Sequence, residues 1–460
     1  MRDSLLGVAR DAVRLLAAHW PALIAWFLAG QLAGYLALRL AGSVGAYSAV
    51  GGFLILPLGA LAQLISIVAM LLVLRDGMRE LRAIAPRPSD AVSRRRSFVD
   101  ALMGGILPFF AFYFAWGYLR EDFAVYLRVA LDAQQVLALN AALAGEEFTR
   151  TGTVDDIGFD RITVTLIVVA FALRWAWKRW RVSLPKVLSI VAVYVETLWI
   201  FLTLYLINDL IGVFTVWVDH RQAMVWLSDA REWVNGYLVP VAWLWDGVEW
   251  FIGEAGGIIL LPVAWITIAG VIYGQAVAAE APRLSGAERL QSHISRVPSW
   301  VRRRMIDFGL QLASLFRPIW SALVLMWRAG PVVIGSFVLL FTIVLALERA
   351  STAGIVRLIG PHDRVSFWEI VFPLVGLGIA MVMEPLRISL IAAAYDGTIG
   401  RLRARSARVE PNEEHTSGRD GKLNGPGDLA DLHVEIERER TVNSFRDDEG
   451  KGDVVRRPSL

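Results

Sequence analysis

The 460-residue chain contains no cysteine, and charged residues make up only 19% of it. Without cysteine it forms no disulfide, offers no thiolate nucleophile and builds no thiolate metal site. Its six histidines lie in separate segments and never form the i,i+4 pair of a helical metal site. The patterns of P-loop, zincin and α/β-hydrolase chemistry are also absent. The sequence therefore predicts no metal and no cofactor, and it favours a non-enzymatic role.

Long apolar stretches dominate what is present, since 56% of the residues are hydrophobic. A helix needs about 20 apolar residues to cross a bilayer core. Eight stretches meet this need, at residues 20–40, 51–74, 99–118, 161–177, 187–211, 256–279, 330–350 and 368–393. The predicted fold is an all-α integral membrane protein, in which residues 1–400 form a polytopic bundle of eight transmembrane helices.

The loops between these stretches alternate in charge. Arg-rich loops mark the cytoplasmic side, and they occur here at residues 75–98, 174–186 and 280–329. The opposite loops are acidic: residues 119–160 hold eight Asp or Glu against three Arg, and residues 212–255 hold six against two. An even number of spans then places both termini in the cytoplasm.

The basic residues also indicate a source and a partner. Only four of the 46 are Lys, and with abundant Ala, Gly and Val this bias suggests a GC-rich bacterial genome. We therefore expect a multi-pass protein of the bacterial cytoplasmic membrane. Because the basic groups adjoin the bilayer, their expected partners are anionic lipid headgroups rather than nucleic acid.

Segments outside the spans carry three further predictions. The Trp-rich segment 212–255 favours an interfacial helix at 219–237 and a re-entrant or surface segment at 238–252. Apolar spacing in residues 301–315 favours a second amphipathic helix, on the inner leaflet. Residues 401–460 lack a core-forming pattern and are predicted to be a disordered, solvated cytoplasmic tail, with a docking site for a protein partner as the alternative hypothesis.

Ionisable residues within the spans are candidates for function because burying them in lipid is costly. They are Glu196 in the fifth stretch and the i,i+3 pair Glu384 and Arg387 in the eighth. Gln31 and Gln63 add hydrogen-bonding groups to the first two stretches, and Gly30 and Gly34 permit close helix packing. Two interpretations stay open: Glu196, Glu384 and Arg387 form a water-accessible track, or they are structural residues that join helices.

Three functional hypotheses follow. The leading one is a transport, translocation or envelope-assembly component that handles a polar or amphiphilic substrate through Glu196, Glu384 and Arg387. The second is a membrane-embedded transferase for a lipid-linked or glycan substrate, acting at the outer face through Glu121, Asp122, Asp155 or Asp156. The third is a scaffold that recruits cytoplasmic partners through residues 401–460.

Overall fold

The computed structural model describes residues 2–84, 90–145, 161–180, 189–222, 256–278 and 331–417, with a few single positions between residues 224 and 253. These residues are nearly all helical and contain no β-strand. The helices are α1 (Arg2–Gly45), α2 (Ala49–Ile55), α3 (Pro57–Arg75), α4 (Arg79–Ile84), α5 (Ala91–Ala115), α6 (Tyr118–Ala144), α7 (Arg161–Trp180), α8 (Ser189–Asp219), α9 (Leu261–Ala278), α10 (Pro331–Ile359) and α11 (Glu369–Ser417). Short π-helical turns, Gly256–Leu260 and Arg364–Trp368, lead into α9 and α11.

Six helical segments of the described chain are long and apolar enough to cross a membrane. They are Leu5–Gly45, Ala49–Arg75, Ala91–Ala115, Val191–Val218, Ile334–Ile359 and Arg364–Arg401. The predicted stretches 161–177 and 256–279 fall on shorter apolar helices, Thr165–Ala176 and Ile258–Gly274. The prediction of an all-α membrane protein is therefore confirmed as a class, while the number of eight spans stays a prediction.

Small residues let α1 and α3 pack closely. Gly30 lies against Ser66, and Gly34 lies against the Gly59 carbonyl. The Ser66 hydroxyl also donates a hydrogen bond of 2.8 Å to the Trp26 carbonyl across the interface. In a membrane bundle, small side chains allow this close approach and van der Waals contact drives the pairing.

Helix α6 lies in the acidic segment that the charge pattern assigned to an outer loop. Val129 contacts Gly42 and Tyr126 contacts Gly45, so α6 runs antiparallel to α1 where the two helices meet. The buried residues of α6 recur at helical spacing along its first seventeen positions; they are Leu119, Tyr126, Ala130 and Gln134. We call the end of the bundle marked by Gly45 and Tyr126 the distal end.

The opposite end, where Gly77 contacts His19, is the proximal end. Here the Asp396 carboxylate of α11 accepts hydrogen bonds of 2.9–3.0 Å from the N–H groups of Arg79, Glu80 and Leu81. The first N–H groups of any helix lack partners within that helix. The Asp396 carboxylate is the hydrogen-bond partner of these N–H groups in α4, and it thereby joins α11 to the start of α4.

Two exposed aspartates precede helical segments and cap them locally. The Ser93 side chain and N–H group beside Asp90 hold the pKa of that carboxyl below its usual value. Hydrogen bonds from Ser366 to Asp363, of 2.7 Å from its N–H group and 2.8 Å from its hydroxyl, likewise lower the pKa of Asp363. Each carboxylate thus satisfies backbone N–H groups at the start of a helical segment, as an N-cap does.

Several predicted features lie wholly or mostly outside the described residues. These are the interfacial helices 219–237 and 301–315 and the segment 238–252. The structure divides into the units Met1–Arg401 and Leu402–Leu460. Residues 402–417 of the predicted tail are helical, as part of α11, and the rest of the tail lies outside the described residues.

Replacing Gly52 by alanine should destabilise the distal end. A Cβ atom at Gly52 would lie 2.6 Å from the Ala41 carbonyl oxygen and 2.7 Å from Gly45 Cα, and backbone atoms cannot swing away. Overpacking of this kind costs about 1–3 kcal/mol. Thermal unfolding of the purified full chain in detergent should therefore show a lower Tm for Gly52→Ala.

The matched control is Gly376→Ala in α11, where a Cβ atom meets nothing within 4 Å. It should keep or slightly raise the Tm, because alanine favours a helix over glycine. Equal Tm values for the two variants would contradict the close packing described at the distal end.

Candidate functional site

A cavity of about 250 Å³ lies inside the bundle. Residues from α1, α3, α5, α6, α9 and α11 line it. The polar lining residues are Gln31, Gln63, Ser66, Tyr113, Tyr118, Glu121, Asp122, Glu384 and Arg387. The remaining wall is apolar or aromatic and consists of Phe27, Gly30, Ile67, Met70, Phe109, Phe112 and Trp265.

Arg387 is the cation of this wall, and two carboxylates hold it. One Nη atom donates to Glu384 Oε1 at 2.7 Å on the same helix, and the other donates to Glu348 of α10. The Arg387 side chain is 9% exposed, whereas Glu348 and Glu384 keep 31% and 26%. Charge-assisted bonds of this kind offset the cost of placing a guanidinium in an apolar bundle.

The third nitrogen of Arg387 is different. Its Nε is buried and has no hydrogen-bond partner among the described residues. A buried donor without an acceptor costs free energy. The site therefore has an unused donor on a residue that lines the cavity.

A sharp turn between α5 and α6 brings two further acids to the cavity. Gly117 forms this turn with φ of 81°, a left-handed conformation that glycine adopts without steric cost. Tyr113 near the end of α5 then donates its hydroxyl hydrogen to Asp122 on α6. Glu121, the neighbour of Asp122, is exposed and also lines the cavity.

The structure brings together residues that the sequence assigned to separate hypotheses. Glu384 and Arg387, predicted within the membrane, line the same cavity as Glu121 and Asp122, predicted at the outer face. Gln31 and Gln63 lie on this wall as well.

The other predicted site residues do not join the cavity. Glu196 is not among its lining residues. It instead forms an ion pair with Arg174, with 2.6 Å between Arg174 Nε and Glu196 Oε2. The Arg174 guanidinium also lies 4.2 Å from the Trp199 ring centre. This contact joins α7 to α8. Asp155 and Asp156 lie outside the described residues.

The sequence missed Glu348 and Tyr113. Glu348 lies two residues before the end of the apolar stretch 330–350, but α10 continues to Ile359 and sets Glu348 well inside the helix. Tyr113 carried no signal of its own, since its role depends on the turn at Gly117 that brings Asp122 back to it.

Carboxylates outnumber cations at this site. Glu121, Asp122, Glu348 and Glu384 face a single guanidinium, that of Arg387, so the formal charge is −3 if every group is ionised. Nevertheless, the described residues contain no group of three or more His, Cys, Asp or Glu arranged to hold a metal ion. The site is therefore acidic and partly aromatic rather than a ligand cage.

The described residues are nearly all helical, and six of their helical segments are long and apolar enough to cross a membrane, which indicates a polytopic membrane protein. No protein family, curated protein or solved structure matches the chain with statistical significance.

Arg387→Met should destabilise the protein because it leaves Glu348 and Glu384 without their cation. Breaking a fully buried ion pair costs about 3–5 kcal/mol. Here about 2 kcal/mol is expected, since the two carboxylates keep 31% and 26% exposure. The triple variant Arg387→Met, Glu348→Gln, Glu384→Gln should recover part of this loss. Thermal unfolding in detergent measures both effects.

The matched control is Arg357→Met, which removes an exposed arginine from α10 and should leave the Tm nearly unchanged. If the triple variant were no more stable than Arg387→Met, the loss of stability would not come from leaving Glu348 and Glu384 without their cation.

Proposed function

We propose that the protein is a transport or translocation component of a bacterial cytoplasmic membrane, and that the cavity is the binding site for a polar or amphiphilic substrate. The observation that carries the proposal is the position of Arg387, an ionised and buried side chain that lines a cavity within an apolar bundle. Ionisable residues at such places are costly and commonly mark substrate or ion pathways.

The depth of the cavity supports passage rather than surface binding. Arg387 lies about 14 Å along α11 from Asp396 at the proximal end, at about 1.5 Å per residue. Gln31 lies about 18 Å from His19 and about 21 Å from Gly45 along α1. The lining also reaches Glu121 and Asp122 beside the α5–α6 turn. Polar groups therefore line the cavity from this turn down to the middle of the bundle.

The charge pattern supplies the orientation in this proposal. With the Arg-rich loops in the cytoplasm, the proximal end faces the cytoplasm together with both termini, and the α5–α6 turn faces outward. In this orientation Glu121 and Asp122 lie on the outward side of the cavity.

A membrane-embedded transferase is the second candidate, because Glu121 and Asp122 line a cavity as that hypothesis requires. A transferase needs its site open to one face only, whereas a transporter must expose it to both faces in turn. This difference separates the two candidates experimentally. The scaffold hypothesis, with a partner bound to the tail, depends on residues that lie mainly outside those described.

The cysteine-free chain allows a direct test with Gln63→Cys, a substitution on the cavity wall. The full-length variant is reconstituted in proteoliposomes, and a membrane-impermeant trimethylammonium methanethiosulfonate is added to either side. Thiolates react and thiols do not, so modification requires a hydrated cavity. A transporter should be modified from both sides.

The matched control is Leu36→Cys, on an exposed apolar face of α1. In lipid its thiol should stay protonated and unmodified. Modification of Gln63→Cys from a single side would favour the transferase, and no modification from either side would overturn the cavity as a substrate site.

A further inference from the structure

Aromatic rings and carboxylates share the cavity wall. The Phe112 and Trp265 rings meet edge to face with centres 5.1 Å apart, and the Tyr113 and Tyr118 ring centres are 5.5 Å apart. Ring faces attract organic cations, and aromatic cages are the usual receptors for quaternary ammonium groups. Small hydrated ions gain less from such a wall than an alkylated ammonium group does.

The charge of the site points to the same ligand. Glu348 and Glu384 already share Arg387, so Glu121 and Asp122 have no described cation beside them on the cavity wall. Asp122 accepts a hydrogen bond from Tyr113 and Glu121 is exposed, so the cavity wall carries carboxylates that are not paired with a described cation. An ammonium group in the cavity would offset this excess.

Donor groups on the cavity wall add an independent requirement. Gln31 and Gln63 line the cavity, and each side-chain amide carries N–H donors. An N–H donor needs an acceptor, which an ammonium group cannot supply. The ligand should therefore carry an ester or phosphate oxygen near its positive charge.

The edge of the cavity on α1 indicates where such a ligand enters. Gln31 lines the cavity and is exposed, while Leu28, Leu32 and Tyr35 on the adjoining face are 38%, 61% and 55% exposed. On the other side of Gln31, the same helix buries Phe27 and Gly30. Gln31 thus lies at the boundary between the cavity wall and an apolar surface near the middle of α1.

The size of the cavity limits what it holds. Pockets for drug-sized ligands measure about 300–1,000 Å³, and this one measures about 250 Å³. A whole lipid does not fit, but a headgroup does. Its acyl chains would remain on the exposed apolar face of α1, in contact with the bilayer.

We infer that the cavity binds the headgroup of an amphiphile that carries an ammonium group and an adjacent ester or phosphate oxygen, and that this headgroup enters from the lipid phase beside Gln31. The inference rests on the proposed function, for which it names the substrate class. Phosphatidylcholine carries both groups, while phosphatidylglycerol has the oxygens without the ammonium.

Photo-cross-linking tests this inference on the full chain in nanodiscs. Phosphatidylcholine and phosphatidylglycerol probes with the same diazirine acyl chain are compared, and the labelled peptides are identified by mass spectrometry. Labelling of α1 around Leu28–Tyr35 should be about tenfold stronger with the choline probe, which corresponds to about 1.4 kcal/mol of selectivity. Equal labelling by both probes would overturn the ammonium assignment.

Two pairs of variants separate entry from charge. Gln31→Trp should reduce choline-probe labelling to the level of the glycerol probe, while Leu32→Trp, on the exposed apolar face, should leave the selectivity intact. Glu121→Gln should weaken the preference for choline, whereas Asp132→Asn, an exposed acid of α6 outside the lining, should not. Unchanged labelling in both Gln31→Trp and Glu121→Gln would contradict binding at this cavity.

The labelling experiment and the Gln63→Cys experiment together distinguish failure of this inference from failure of the proposed function. Selective labelling without access of Gln63→Cys from both sides would support the ligand and refute transport. Access from both sides with equal labelling by both probes would support transport and refute the ligand.

Discussion

Charge placed inside an apolar bundle must be neutralised, and in this protein that requirement falls on Arg387. Its guanidinium binds Glu384 on its own helix and Glu348 on α10, so the two helices are joined at one height. Because the same side chain lines the cavity, the interaction that pairs the helices also sets the polarity of the site. Removing the arginine would change the fold and the site together, which is why charge-preserving comparisons are needed to separate the two.

The other walls of the cavity have separate physical origins. Small residues bring α1 and α3 together, so Gln31 and Gln63 reach one space between them. The left-handed Gly117 reverses the chain after α5, so Asp122 returns to Tyr113. The site is therefore composite: ion pairing, close backbone packing and a turn each contribute one side. Residues from two hypotheses, Glu384 and Arg387 within the membrane and Glu121 and Asp122 at its outer face, line this one cavity.

Local pattern was enough to predict part of this arrangement. The helical class follows from apolar length, and the Glu384–Arg387 contact follows from i,i+3 spacing, which the 2.7 Å bond reproduces. Contacts between distant segments could not be predicted in this way. The pairing of Glu348 with Arg387 and of Glu196 with Arg174 depends on which helices are neighbours, and hydropathy does not encode that.

Helix α6 was missed for another reason. Its charged residues suggested a loop, although Leu119, Tyr126, Ala130 and Gln134 repeat at helical spacing and would have indicated a buried face.

The carboxylate of Asp396 has a consequence for how the protein is made. It satisfies the N–H groups at the start of α4, yet 315 residues separate it from Leu81. A ribosome therefore completes α4 long before its cap exists, and those donors must stay with water or lipid headgroups while the intervening helices are inserted. Arg387 is delivered by the same late helix, so the described helices before α11 are made with neither the cap nor the guanidinium that neutralises Glu348. Synthesis of α11 is thus the step that supplies both contacts, and a nascent chain that stops short of it lacks them.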